Sequence, residues 1–305
     1  MSAAASDMSG KQAQPEDATP AWLTYALAER ATEHSLEVDG ARIVYRVWRE
    51  ELRASALETV LLVHGGASNS HCWDHLAPLL PADRRVVAID LSGHGASDRR
   101  ENYDLPVWQR EVLAVAQALG DTKTIILIAH SMGGKIATRL QAQENFAGLI
   151  MVDTPFRRAE SKLTAFRMMR SNRTSRAYAT REEAVAAFRM EALRAPVLPA
   201  LMRHYALHSI HQIPRGWTWS FDSPVFGFTD MTIDLLEPLR CPSIILRAEQ
   251  GFLDQKMLAA MIDRLKGTAR IIDIPGAGHH CMLDQPAALL MAMNGVLQAW
   301  ATPLA

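Results

Sequence analysis

The sequence predicts an α/β fold, a mostly parallel central sheet flanked by helices and carrying one inserted helical segment. Three observations carry this. Short apolar runs rich in β-branched residues alternate with helix-like stretches from residue 60 to 153, the pattern of a parallel sheet buried on both faces. One of these runs, Ile125 to His130, turns at Ser131-Met132-Gly133-Gly134 straight into a helix. From 156 to about 236 the alternation stops and Arg, Met and Ala recur at helical spacing; strands then resume.

The chain has 305 residues, enough for one large α/β domain with an insertion or for two small domains. Its hydrophobic content of 49% and charged content of 21% are those of an ordinary globular protein. A net charge of -1 gives no electrostatic case for a nucleic acid or anionic membrane as partner. No apolar run approaches the roughly 20 residues that a membrane span needs. Cys72, Cys241 and Cys281 are too scattered for a disulfide framework or a cysteine-rich metal site, and they suit a reducing, cytoplasmic setting. Residues 1–20 hold no apolar core behind a basic start, so a disordered leader is expected rather than a secretory signal. The expected division is therefore a leader at 1–20, a core at 21–155 and 237–305, and a helical cap at 156–236. The sequence leaves open whether the chain forms a homo-oligomer.

Taken in order, Ala21 to Thr32 reads as a short helix. Two alternating runs around Asp39-Gly40 read as a hairpin, because Asp-Gly is a two-residue turn signal. Val60 to Val63 is a buried strand ending at His64-Gly65-Gly66-Ala67, and Val86 to Asp90 is the next, running into Leu91-Ser92-Gly93-His94-Gly95-Ala96-Ser97-Asp98. Leu105 to Leu119 is a helix capped by Asp104. Ile125 to His130 is the next strand, and a helix from roughly Lys135 to Gln143 follows the turn, with its free N–H groups aimed back at Ser131. Gly148 to Val152 is a strand ending at Asp153.

In the insertion, Thr180 caps a helix over Arg181 to Leu193, and Leu201 to His211 is a second helix. Trp217, Trp219, Phe221, Phe226 and Phe228 then cluster, either lining an apolar pocket or packing the insertion onto the sheet. Beyond it come a strand at Pro242 to Leu246, a helix at Gln255 to Lys266, a strand at Arg270 to Ile274 and the turn Gly276-Ala277-Gly278-His279-His280.

Several of these segments together resemble the α/β-hydrolases. Ala129-His130-Ser131-Met132-Gly133 is similar to the nucleophile elbow G-x-S-x-G, with Ala in place of the first Gly. His64-Gly65-Gly66 resembles the oxyanion loop, and Asp90 to Ser97 the D-x-x-G-x-G-x-S segment. Gly278-His279 resembles the catalytic-histidine loop, and residues 156–236 the helical cap that lids the site. The resemblance implies Ser131 as nucleophile, His279 as general base, and the backbone N–H groups of Gly66 and Met132 as oxyanion donors. His94 is not read as catalytic.

The resemblance is incomplete at the acid. The position after the strand at Ile244 to Leu246, where the family usually carries Asp, holds Phe252. Asp153, at the end of the strand that follows the nucleophile strand, is the first choice; Asp254 and Glu249 are the alternatives. The implied function is hydrolysis of a carboxylic ester of a small apolar substrate, with no cofactor and no metal. Hydrolysis of a C–C bond on the same scaffold, or a non-catalytic ligand-sensing role, are the alternatives. His204, His208 and His211 recur at i, i+4 and i+7, but no HExxH motif or sequence-adjacent carboxylate accompanies them, so a polar helix face is expected there rather than a metal site.

Overall fold

The computed structural model describes residues 19–54, 59–156, 176–227 and 232–301. Most of the expected leader, residues 157–175 of the insertion, and Phe228 lie outside the described residues. Eight strands form one sheet: β1 (Thr32–Val38), β2 (Ala41–Trp48), β3 (Thr59–Val63), β4 (Val86–Ile89), β5 (Ile125–His130), β6 (Gly148–Val152), β9 (Ser243–Ala248) and β10 (Arg270–Ile274). Their spatial order is β1-β2-β4-β3-β5-β6-β9-β10. β2 pairs antiparallel with both β1 and β4, and the remaining pairings are parallel, so β2 alone runs against the others.

The strands read as continuous apolar runs because both faces are covered. Alternate residues divide between two cores, as the two-residue period of a strand demands. Leu61, Val63, Leu127, Ala129, Leu149, Met151 and Ile245 face one core, closed by helices α2 (Leu105–Leu119), α3 (Met132–Leu140) and α6 (Gln255–Leu265). Val60, Leu62, Ile126, Ile128, Ile150, Val152 and Leu246 face the other, closed by α1 (Ala21–Ala28) and α8 (Pro286–Ala301). Each fully buried aliphatic side chain contributes about 1.5–3 kcal/mol, and truncating a central one such as Leu127 to Ala costs about 2–5 kcal/mol.

The chain reverses its direction of travel across the sheet at β3, which has β4 on one side and β5 on the other. In an open α/β sheet such a reversal leaves a crevice at the C-terminal strand ends. His64 to Gly66 leave β3 there, and Ser131 leaves β5 there; the two strands pair as far as Val63 and Ala129.

The insertion differs from the expected pair of long helices. Helix α4 (Arg181–Ala187) stops six residues short of Leu193, because Phe188 leaves it in an extended conformation and its ring packs edge-on against Tyr205 and Trp219, both at 5.6 Å. Helix α5 (Pro199–His208) ends at His208, and Ile210–Ile213 is instead a strand, β7, paired antiparallel with β8 (Gly216–Trp219). Here tertiary aromatic packing overrides helix propensity. The Trp219 ring packs against Tyr178 and Phe188 within the insertion, and Phe221 against Phe226. A short helix, α7 (Cys281–Asp284), follows the His279 turn.

Candidate active site

The turn after β5 is sharp. Ser131 sits at φ 51°, ψ -112°, a backbone conformation costly to a residue with a side chain. The turn is held there on both sides. The Ser131 N–H donates to Val152 O of β6 at 3.0 Å, and α3 begins at the very next residue. Close packing of that helix on the sheet requires Gly133: a Cβ there would lie 2.6 Å from the His64 carbonyl oxygen. The result is a serine hydroxyl raised above the strand end, beside the free N–H groups of a helix N-terminus.

Ser131, His279 and Asp153 lie on one hydrogen-bonded line. Ser131 Oγ is 3.0 Å from His279 Nε2, and His279 Nδ1 is 2.6 Å from Asp153 Oδ2. Asp153 is fully buried and His279 is nearly so. A buried carboxylate needs donors, and Asp153 has them: the backbone N–H of Phe252 donates to Oδ2 at 2.8 Å and that of Leu253 to Oδ1 at 3.4 Å. Gly251 makes this approach possible, since a Cβ on it would overlap the Asp153 carboxylate.

The other two carboxylates are occupied elsewhere. Asp254 caps α6, its Oδ1 accepting from the Met257 N–H at 2.7 Å, and Glu249 accepts from the Gly276 N–H at 2.7 Å. Both are exposed. Phe252, the residue in the usual position of the acid, has a different part. Its ring stacks on the His279 imidazole, centroids 4.0 Å apart and planes at 22°, while its N–H serves Asp153.

His279 is also fixed through its backbone. Its N–H donates to Ala192 O of the insertion at 3.0 Å, and its carbonyl accepts from His130 Nε2 at 2.8 Å. The preceding Gly278 N–H and the Arg194 N–H of the insertion both donate to Asp284 Oδ2 at 2.9 Å. Burial, reinforced by the neighbouring His279 and His280, holds the His130 imidazole well below its usual pKa. It is therefore a neutral ring that donates from Nε2. Sequence reasoning missed this support and the Phe252 stack; the signals available were a histidine inside the elbow motif and an aromatic where an acid belongs.

The loop after β3 closes the site on its other side. His64 is buried, and its pKa is lowered chiefly by desolvation. Its Nε2 accepts from the Leu91 N–H at 3.1 Å and its Nδ1 donates to Gly65 O at 2.7 Å, which pins the loop to the end of β4. Gly66 lies beside Met132: a Cβ on Gly66 would sit 3.6 Å from Met132 Sδ. His94 is buried in a bridge to Phe221, remote from the Ser131–His279–Asp153 line in its hydrogen bonding.

Comparison with known proteins places the chain in a family. The profile described as the alpha/beta hydrolase family matches residues 60–292. The chain belongs to the alpha/beta hydrolase family. An esterase of Mycobacterium tuberculosis is 29% identical to this hydrolase-family chain over 253 residues, 78% of this chain and 82% of the relative. A serine hydrolase-like protein of Danio rerio is 35% identical over 138 residues, 44% of this chain, and the match spans 41% of that relative's length. Among solved structures, the thioesterase domain from the curacin biosynthetic pathway superposes with a TM-score of 0.71 at 22% identity, covering 86% of this chain and 99% of that one. That likeness is one of fold. Among the described residues, no helix is long and apolar enough to cross a membrane.

Proposed function

We propose that the chain is a serine hydrolase that cleaves a carboxylic ester through Ser131, His279 and Asp153. The observation that most supports this is the line from Ser131 Oγ through His279 to the buried Asp153, set at the head of a helix where the sheet reverses its strand order. His279 Nε2 takes the hydroxyl proton as Ser131 Oγ attacks the ester carbonyl. The backbone N–H groups of Gly66 and Met132 receive the oxyanion; one such donor is worth about 2.7–4 kcal/mol in the transition state. His279 then passes its proton to the departing alcohol. Water, deprotonated by the same imidazole, releases the acid and restores Ser131.

Asp153 carries the role that the family usually gives to an acid after the neighbouring strand β9. Its carboxylate fixes the imidazole with Nδ1 protonated and stabilises the imidazolium that forms. The two backbone donors from Phe252 and Leu253 keep it in place without neutralising it. Residues 156–236 act as the cap, tied to the histidine loop through Ala192 and Arg194. The Phe252 ring, 41% exposed, supplies an apolar wall beside the histidine and favours an apolar acyl or alcohol group.

The test is turnover of p-nitrophenyl esters from acetate to longer acyl chains. The wild type hydrolyses them and Ser131→Ala falls to background while keeping its far-UV circular dichroism. Absence of turnover by folded wild type, or undiminished turnover by Ser131→Ala, overturns the reading.

A further inference from the structure

A second group of histidines, none of them in the Ser131–His279–Asp153 line, gathers where the insertion packs on the sheet domain. His71 and Asp74 belong to the short 3-10 turn that follows the β3 loop; His204 and His208 lie one turn apart on α5 of the insertion. One potential ligand atom from each of the four falls within 4.8 Å of all the others. The geometry points to a binding site for one divalent transition-metal ion of the zinc type, held by His71, Asp74, His204 and His208 and clamping α5 to the sheet domain.

Two local pairs build the site. Residues three apart on a 3-10 turn eclipse each other, and residues four apart on an α-helix share a face. Each element therefore presents two ligands together, and docking α5 on the turn brings the four into one place across about 130 residues of chain. That docking does not depend on the ligands alone. Ser68 Oγ and Tyr205 OH are 2.8 Å apart, and Asn69 Nδ2 donates to Ser209 Oγ at 3.1 Å. These bonds bracket the cluster and hold its two halves together.

The ligands are oriented as well as near. Asp74 Oδ2 is 2.8 Å from His71 Nδ1 and 2.7 Å from His204 Nε2, while Oδ1 is held by Arg46. His208 uses Nδ1 on the His204 carbonyl at 2.9 Å, the backbone hydrogen bond that commonly fixes the tautomer of a metal-binding imidazole and leaves Nε2 as the ligand. Its ring stacks on His71 at 4.1 Å. Zinc takes imidazole nitrogen and carboxylate oxygen at about 2.0–2.2 Å in a tetrahedron, so ligand atoms end roughly 3.4 Å apart. The present ligand atoms, all within 4.8 Å of one another, bracket that spacing.

The donor set also selects the ion. Three imidazoles and one carboxylate already paired with a guanidinium suit a borderline cation, whereas calcium and magnesium require several oxygen ligands. His211, which the sequence groups with His204 and His208, lies outside the cluster: its Nε2 is 3.1 Å from Arg99 Nη2. The carboxylate that the sequence lacked near these histidines is supplied by Asp74, from the other side of the seam.

Zinc chloride titrated into chelator-treated, tag-free full-length protein against a chromophoric zinc chelator tests this. The expected result is one tightly bound equivalent, a raised melting temperature with zinc and none with magnesium. His204→Ala and His208→Ala each weaken binding by about 100-fold or more, since loss of mere outer-sphere partners already costs about 10–100-fold. His211→Ala leaves it unchanged. His208→Ala removes an exposed ring that stacks on His71 and leaves the Ser68–Tyr205 and Asn69–Ser209 bonds in place, so it serves as the variant that folds. His279→Ala removes the competing imidazole at the serine site, and zinc binding persists in it. No stoichiometric binding by wild type, wild-type affinity in folded His208→Ala, or binding abolished by His279→Ala overturns the proposal.

Discussion

Asp153 and Asp74 are both buried carboxylates that gather imidazoles, and they are arranged for opposite ends. At Asp153 the groups form a line: backbone donors, carboxylate, one imidazole, one hydroxyl. On the proposed mechanism, the imidazolium formed by taking the Ser131 proton is stabilised by a carboxylate that the proton does not reach. At Asp74 the groups converge on a point, three imidazoles and a carboxylate with no hydroxyl at the end. On the two proposals, the line moves a proton and the convergent set holds a cation. The lesson is that residue types do not assign chemistry, whereas the order in which they touch does.

The comparison is broken most directly at its acidic member. Asp153→Ala is expected to cut ester turnover by about 10³-fold or more, the scale seen when the acid of such a triad is removed. The assay is p-nitrophenyl ester hydrolysis under saturating substrate. Retained turnover in Asp153→Ala, with loss in Asp254→Ala, would move the acid to the end of the following loop.

A smaller effect sharpens how the line is held. Phe252→Ala removes the ring stacked on His279 but keeps the backbone N–H that serves Asp153. The expectation is a fall in kcat of about 10-fold, since slight misplacement of a catalytic group is costly. Unchanged kcat would reduce Phe252 to a surface residue.

Two buried histidines, one in the elbow and one in the bridge to Phe221, supply a pH dependence of stability. Burial holds His94 and His130 well below their ordinary pKa in the folded chain. The unfolded chain takes up a proton at each as pH falls through about 6.5, while the folded chain does not. The unfolded state then binds more protons, so this contribution is complete above about pH 6.5 and is lost progressively below it. Melting temperature should therefore fall between about pH 7.5 and 5, before most carboxylates titrate. A flat profile over that range would contradict the neutral assignment of both rings.

Asp254→Ala carries the smallest expected effect. Its carboxylate caps α6 and lies outside the catalytic line, so the loss is about 1 kcal/mol of stability with turnover preserved. Chemical denaturation beside the ester assay separates the two quantities.

What the sequence made legible follows the range of each interaction. Ser131 and His279 sit in short local patterns, a strand running into a Gly-bearing turn and a Gly-His loop before a helix, and local patterns survive in one dimension. Asp153 emerged only by subtraction, because Phe252 stands in the customary place of the acid. The parts that stayed hidden are contacts across the chain. His130 supports the backbone of a residue 149 positions away, and His204 meets an Asp 130 positions away. No periodicity encodes such a meeting. The insertion was misread for a related reason: α4 has a helical composition as far as Leu193, yet Phe188 leaves it to reach Tyr205 and Trp219. Propensity is local, and the aromatic partners are not.

The measurement that tests the central claim most directly is labelling of the full-length protein with a fluorophosphonate, followed by peptide mass spectrometry. The account predicts one adduct on Ser131, lost in His279→Ala and strongly slowed in Asp153→Ala. An unlabelled Ser131 in folded wild type, or labelling indifferent to His279, would contradict it.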